Sequence, residues 1–211
     1  MNILSFFSQH GDEILRSTLE HVWLVVAAMA LAIAIGVPLG ILVARRPWLS
    51  KPILGGANIA ETIPSLALLG FLLPAPWLGE RAERIAITAL VLYALLPIIR
   101  NTAAGISGVD PAVREAARGM GMTPGQILWQ VELPLSLSTV LAGIRVATVL
   151  TIGVATVAAA VGAGGLGEFI FRGLSMVDNR LILAGAIPAA ALALLADFIL
   201  SVLERRLRPA R

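Results

Sequence analysis

The sequence predicts an all-α integral membrane protein with about five transmembrane helices and a polar helical hairpin between the third and fourth. Three observations carry that expectation. The 211 residues are 58% hydrophobic and 14% charged, with a mean hydropathy of +0.89, whereas about a quarter of a soluble domain is charged. Five runs meet or approach the roughly 20 apolar residues that cross a hydrocarbon core. Basic residues also gather at the ends of those runs, as they do at a cytoplasmic membrane face.

The first segment, residues 1–20, mixes Phe6, Phe7, Ile14 and Leu15 with polar residues. It is expected outside the membrane core, as an amphipathic helix along the surface. Val22 to Ala44 carries no charge. It starts late, lacks a basic leader, is longer than a signal-peptide core and ends at Arg45-Arg46, so it reads as a retained helix. Within it, Gly36-Val37-Pro38-Leu39-Gly40 has the G-x-x-x-G spacing that lets helices approach closely, and Pro38 adds a kink. Pro52 to Leu73 is apolar apart from Glu61, and Ile85 to Ile99 is a shorter core that can extend at either end. Leu135 to Ala160 holds one charge, Arg145, and Leu181 to Leu203 holds one, Asp197. Trp48 and Trp77 lie near segment ends, where indoles anchor at the interface. The whole reads as one transmembrane domain over 21–204, with a basic cytoplasmic tail over 205–211.

Five spans put the termini on opposite sides. With the C-terminus inside, Arg45, Arg46, Lys51, Arg100, Arg114, Arg118, Arg205, Arg206, Arg208 and Arg211 face the cytoplasm. Arg16, Arg81, Arg84, Arg172 and Arg180 then lie outside, and Arg145 within the membrane. Ten cytoplasmic basic residues against five favour an external N-terminus and a cytoplasmic C-terminus.

Between the third and fourth spans the residues from about 101 to 134 form a polar cytoplasmic loop punctuated as two short helices. Asp110 is a capping residue and Pro111 suits the first helical position, where no N–H is needed. Val113-Arg114-Glu115-Ala116-Ala117-Arg118 propagates a helix, and Gly119 or Gly121 ends it. Thr123 and Gln126 stand at capping-box spacing for a second start, which Leu133-Pro134 closes. Ala116 and Ala117 leave little bulk on the first helix, so another protein can approach its backbone.

The string Glu115-Ala116-Ala117-Arg118-Gly119-Met120-Gly121, followed by Leu133-Pro134, resembles the EAA loop of the permease subunits of binding-protein-dependent ABC importers. A lone Glu-Ala-Ala is common in helices; the extended pattern, in a cytoplasmic loop before the penultimate of five spans, is specific. The resemblance runs through nearly the whole chain. Glu61-Thr62-Ile63-Pro64-Ser65-Leu66-Ala67-Leu68-Leu69 and Val161-Gly162-Ala163-Gly164-Gly165-Leu166-Gly167 are similar to the osmoprotectant branch, which imports glycine betaine, choline and carnitine. Members of that branch commonly carry glutamine at the position of Glu61, so the carboxylate is a departure that bears on the pathway. The resemblance implies a type I importer permease with a methionine-importer-like (MetI-like) fold in the bacterial inner membrane. It implies that Arg114 to Gly119, Gly121, Leu133 and Pro134 couple to a cytoplasmic ATPase dimer. A second permease subunit, identical or paralogous, and an external substrate-binding protein complete the expected complex. Mg-ATP belongs to the ATPase, with no cofactor bound by this chain. Selectivity is expected mainly in the binding protein, which leaves methionine, sulfonates and betaine-like thiols as alternative substrates.

Other chemistries find little footing. There is no cysteine, and His10 and His21 are the two histidines, so no metal cluster is expected. The net charge of +3 is explained by basic residues flanking spans rather than by a nucleic-acid module. Gly162 to Gly167 satisfies G-x-G-x-x-G, but a dinucleotide site needs a preceding strand and a βαβ unit. A re-entrant turn through Gly162, Gly164, Gly165 and Gly167, packed against helices, is expected instead. Lys51, the single lysine, has no phosphate-binding loop before it, so ATP hydrolysis falls to another subunit. An intramembrane hydrolase would need a nucleophile–base or paired-carboxylate constellation that these residues do not form, and a passive channel has no use for the hairpin.

Three charges remain inside spans. Arg145, Glu61 and Asp197 each lie about 7 to 11 residues from the cytoplasmic end of a run, or roughly 10 to 16 Å deep. Unpaired charge at that depth is costly, so Arg145 is expected to pair with Asp197 or Glu61, as a brace or on the pathway that Thr62, Pro64 and Ser65 also line.

Overall fold

Inside a bilayer every backbone N–H and C=O has to be satisfied within the segment, which favours long uninterrupted helices. The computed structural model describes residues 6–7, 9–75, 78–79 and 81–207 and is built that way. Its helices are α1 (Gly11–Arg45), α2 (Pro47–Thr62), α3 (Ser65–Leu72), α4 (Ala82–Ser107), α5 (Pro111–Gly119) and α6 (Pro124–Ile127). A π-helical turn over Leu128–Glu132 runs into α7 (Leu133–Ala158). A 3-10 turn, Ala159–Val161, then leads to α8 (Gly167–Met176) and α9 (Asn179–Arg206). Among the described residues there is no strand.

Four helical tracts are long and apolar enough to cross a membrane: α1, α4, Pro124–Val161 and α9. The second expected span, Pro52 to Leu73, is not one helix. It breaks between α2 and α3 with a bend of 102°. Pro64 explains the break, since its ring disfavours the helical region for the residue before it. Ile63 accordingly sits in extended backbone, at φ −69° and ψ 127°, and its carbonyl accepts a hydrogen bond from the Tyr93 hydroxyl.

The N-terminal segment also differs from expectation. Gly11 to Glu20 is not a separate surface helix but the first turns of α1, whose 35 residues extend about 52 Å, well beyond a ~30 Å core. Phe6 and Ile14 pack with Phe169, Leu181 and Ala184, and Arg172 bonds Glu13 at 2.9 Å, so this end is fastened to α8 and α9. Residues 1–5 and Trp77 lie outside the described residues, as do Arg208 and Arg211; Arg205 and Arg206 form the last turn of α9 rather than a separate tail.

α1 and α4 run parallel. Trp23, about a third of the way along α1, donates to Glu83 in the first turn of α4 at 2.7 Å, and a Cβ on Gly36 or Gly40 would meet Ile98 or Thr102 further along. The G-x-x-x-G pair is therefore a close-packing seam, and α1 continues through Pro38. α7 returns antiparallel, with Gly105 against Ser136 and Gly143 against Asn101. Because α1 and α4 point the same way, the bent α2–α3 pair has to carry the chain from one end of the bundle to the other. We expect Gly40→Leu to destabilise the detergent-solubilised chain by about 1–3 kcal/mol through overpacking. Gly55→Ala, where no atom lies within 4 Å of the added methyl, should not lower stability; circular-dichroism melts check both.

The polar connection after α4 is shorter than residues 101–134. α4 continues to Ser107, and the next membrane-length tract begins at Pro124. Leu133-Pro134 does not close a short helix. Proline lacks the N–H and crowds the carbonyl four residues back, here Gln130. The tract relieves this by widening, with the Leu133 N–H bonding Leu128 O, and so runs on into α7.

Candidate functional site

The hairpin is built from local capping. The Asp110 carboxylate accepts from Ala112 N at 2.8 Å with Pro111 opening α5. At the other end Gly121, at φ +80°, closes α5 in a Schellman arrangement: Gly121 N donates to Arg118 O and Met122 N to Ala117 O. Gly121, not Gly119, is thus the terminator. Both bonds of the Thr123–Gln126 capping box are present. Ala117 is the buried contact of α5, while Glu115, Ala116, Arg118, Gly119 and Met120 are exposed on its open side. That surface is accessible, and Ala116 and Gly119 leave the backbone open between longer side chains.

Arg114 does not share that surface. Its guanidinium turns inward, donating to the Ile106 carbonyl and lying 2.9 Å from Glu132. Arg45, at the end of α1, binds the same carboxylate at 2.6 Å. Glu132 has no local sequence signature, because its partner residues are 87 and 18 positions away. The π turn and the parallel packing of α1 and α4 bring the three groups together. Leu133 and Pro134 adjoin this cluster and have no place on the open face of α5.

Arg145 pairs with Asp197. Nε lies 2.6 Å from Oδ1 and Nη2 3.1 Å from Oδ2, a bidentate contact between α7 and α9. Nη1 also reaches Glu204 at 3.4 Å. Glu204 lies seven residues past Asp197, two turns along the same face of α9, and is a member of the cluster that the apolar-run reading overlooked.

Glu61 is elsewhere. Among the described residues it forms no salt bridge; it stands at the α2–α3 break beside Thr62, whose hydroxyl donates to Ile59 O at 2.9 Å. Pro64 makes the break and Ser65 opens α3. This places a half-exposed carboxylate next to interrupted backbone, the kind of backbone tolerated at membrane depth where it is buried or lines a cavity.

The glycine-rich turn is packed as a joint. Gly162, Gly164 and Gly165 have φ near +80°, a region that favours glycine. Gly165 N donates to Glu20 at 3.3 Å, and a Cβ on Gly167 would run into the Thr156 carbonyl. His21 is fully buried below the turn and donates from Nε2 to Ile152 O at 3.1 Å. No metal-binding group of three occurs among the described residues.

Comparison with known proteins places this geometry. Residues 36–209 match the family described as binding-protein-dependent transport system inner membrane component. The chain is 46% identical over 207 residues to the carnitine transport permease protein OpuCB of Listeria monocytogenes, covering 98% of this chain and 94% of that one. It is 43% identical over 211 residues to the osmoprotectant import permease protein OsmW of Salmonella typhimurium, at 99% and 98% coverage. To the choline transport system permease protein OpuBB of Bacillus subtilis it is 42% identical over 209 residues, at 99% and 95%. Among solved structures it resembles the inward-facing MetNI methionine ABC transporter, with a TM-score of 0.83 and 25% identity, covering 93% of this chain and 96% of that chain.

Proposed function

The chain belongs to the binding-protein-dependent transport system inner membrane components, the multi-pass permease subunits of ABC importers, and from that premise we propose that it provides the pathway for a small osmoprotectant of the glycine betaine, carnitine or choline type. The observation that carries the substrate class is the similarity along the whole chain to permeases named for carnitine, choline and osmoprotectant import. These solutes share a quaternary ammonium, a group often held by aromatic rings. Aromatic residues are 5% of this chain, so the tight recognition step is assigned to the external binding protein.

In this reading the exposed side of α5, from Glu115 to Gly119, docks on a cytoplasmic ATPase dimer that holds Mg-ATP. A second permease subunit covers α2 and α3, whose Ile59, Leu66 and Phe71 are exposed. Glu61, Thr62, Pro64 and Ser65 at the α2–α3 break line the pathway. Closure of the ATPases draws the coupling helices together and switches the bundle between inward- and outward-facing forms. Uptake of labelled glycine betaine, carnitine and choline by proteoliposomes holding the permease, its ATPase and its binding protein tests the proposal. ATP-dependent uptake of at least one is expected; transport of methionine alone would overturn the substrate class.

The ends of α1 and α9 carry Arg45, Arg46, Arg205 and Arg206, and Arg45 touches the hairpin tract through Pro124 and Glu132, which supports a cytoplasmic face there. Reporter fusions after Ser50, Asp110 and Arg211 are expected to read as cytoplasmic, and fusions after Glu80 and Asp178 as external. An external signal at Arg211 would reverse the orientation and remove the hairpin from the ATPase.

A further inference from the structure

We infer that Glu132 is the positioning residue for energy coupling: its buried carboxylate clamps the coupling helix α5 to the end of α1, so that α5, α1 and α7 move as one body. The inference rests on the reading of α5 as the ATPase-docking helix. Glu132 is 4% exposed and holds two guanidiniums. Arg45 Nη2 donates to Oε2 at 2.6 Å. Arg114 Nε lies 2.9 Å from Oε1 as an ion pair, without hydrogen-bond alignment. Each arginine has a second anchor. Arg45 also donates to the Pro124 carbonyl at 3.4 Å, at the opening of α6, and Arg114 to the Ile106 carbonyl in the last turn of α4. One carboxylate thus joins the ends of α1 and α4 to the hairpin and to the start of α7.

The π turn makes this meeting possible. It places one more residue in the turn than an α-helix holds, and so rotates the hairpin by about 100° relative to α7. Pro134 is the cause of the widening, and Glu132 is the last residue within it. Without the clamp, α5 would be held by the short connections at Gly108–Asp110 and Met120–Thr123, by the Arg114–Ile106 bond and by the packing of its buried Ala117. Its own caps, Asp110 and the Thr123–Gln126 box, would survive. A push on α5 would then bend those connections rather than move α1 and α7. Buried ionic contacts are weak contributors to stability, and in some proteins they fix one arrangement, which is what transmission needs.

The test uses the full complex of permease, ATPase and binding protein in proteoliposomes, reading substrate taken up per ATP hydrolysed and the ATPase that co-purifies. Glu132→Gln keeps the size of the side chain and removes its charge. The ATPase should still co-purify, while uptake per ATP falls about tenfold, within the usual range of coupling between two sites. Arg45→Gln, which removes one arm at a half-exposed position, should lower the ratio by less, and Glu132→Asp should recover part of it. If Glu132→Gln fails to assemble, Arg45→Gln decides. An unchanged ratio in the glutamine variants overturns the inference, as does a parallel fall of uptake and hydrolysis together with loss of the ATPase. If the unaltered chain does not retain the ATPase, or retains it independently of α5, the docking reading itself fails, and that result is distinct from a failed clamp.

Discussion

Arg145→Asp is expected to reduce uptake to background, and Asp197→Arg in the same chain to restore it more than about fivefold over either single variant, the size of effect that contacting pairs show in double-mutant cycles. The reversal puts a third carboxylate beside Asp197 and Glu204, which both contact the Arg145 guanidinium. Three like charges between α7 and α9, with the Arg145 guanidinium removed, should drive the helices apart or stop assembly. The swap restores the charge balance and the cross-helix contact, though not the bidentate geometry, so recovery should be partial. Glu61→Arg should not rescue, because Glu61 sits at the α2–α3 break and forms no salt bridge among the described residues. Uptake in proteoliposomes and retention of the folded complex on gel filtration are the measurements. Rescue by Glu61→Arg with none by Asp197→Arg would place the pair wrongly.

A neutral pair separates brace from switch. Arg145→Gln with Asp197→Asn removes both charges and leaves two amides able to bond. If the contact only holds α7 to α9, this double variant should regain assembly and uptake together. A pair that has to break and re-form during transport would let assembly recover while uptake stays low. Glu204 bears on the outcome, since its carboxylate stays behind and has been deprived of the arginine.

Local signals were legible in the sequence where the contact that uses them is local. Asp110 caps a residue two positions on, the Thr123–Gln126 box spans three, and the αL position at Gly121 needs only its own φ. The spans were legible because each is a long apolar run. Proline was less informative. Pro38, Pro97 and Pro188 lie inside continuous helices, Pro134 produces a π turn, and Pro64 breaks a span, though each removes the same N–H. What differs is tertiary. The break at Ile63 has the Tyr93 hydroxyl to satisfy its carbonyl, and the tract at Pro134 is held by Glu132 between two arginines. Contacts of that kind join residues tens of positions apart and leave no period to read. The same holds for Glu204 beside Arg145: its place near the end of α9 looked like a membrane boundary, and only the 7-residue spacing from Asp197 hinted at a shared face.

Gly119→Asp is expected to leave the permease in the membrane and folded, and to lower the ATPase recovered in a pull-down by about tenfold or more, the loss typical of disrupting a well-packed interface centre. The structure makes this a sharp experiment. A Cβ on Gly119 would meet no atom within 4 Å, and its φ is an ordinary helical one, unlike Gly121 at +80°. An aspartate near the C-terminus of α5 faces the negative end of the helix dipole, at a cost of about 0.3–1 kcal/mol, too little to unfold a hairpin whose caps and Schellman closure are intact. Any large effect therefore comes from something that approaches Gly119 from outside the chain. Bulk and negative charge at a point of close approach would exclude a partner groove, while Gly119→Ala, which adds one methyl, should lose far less. Gly121→Asp serves as the contrast, because strain at its positive φ should disturb the hairpin itself and show as lower yield. Full ATPase recovery and full uptake with Gly119→Asp would mean that the open side of α5 is not where the energy enters.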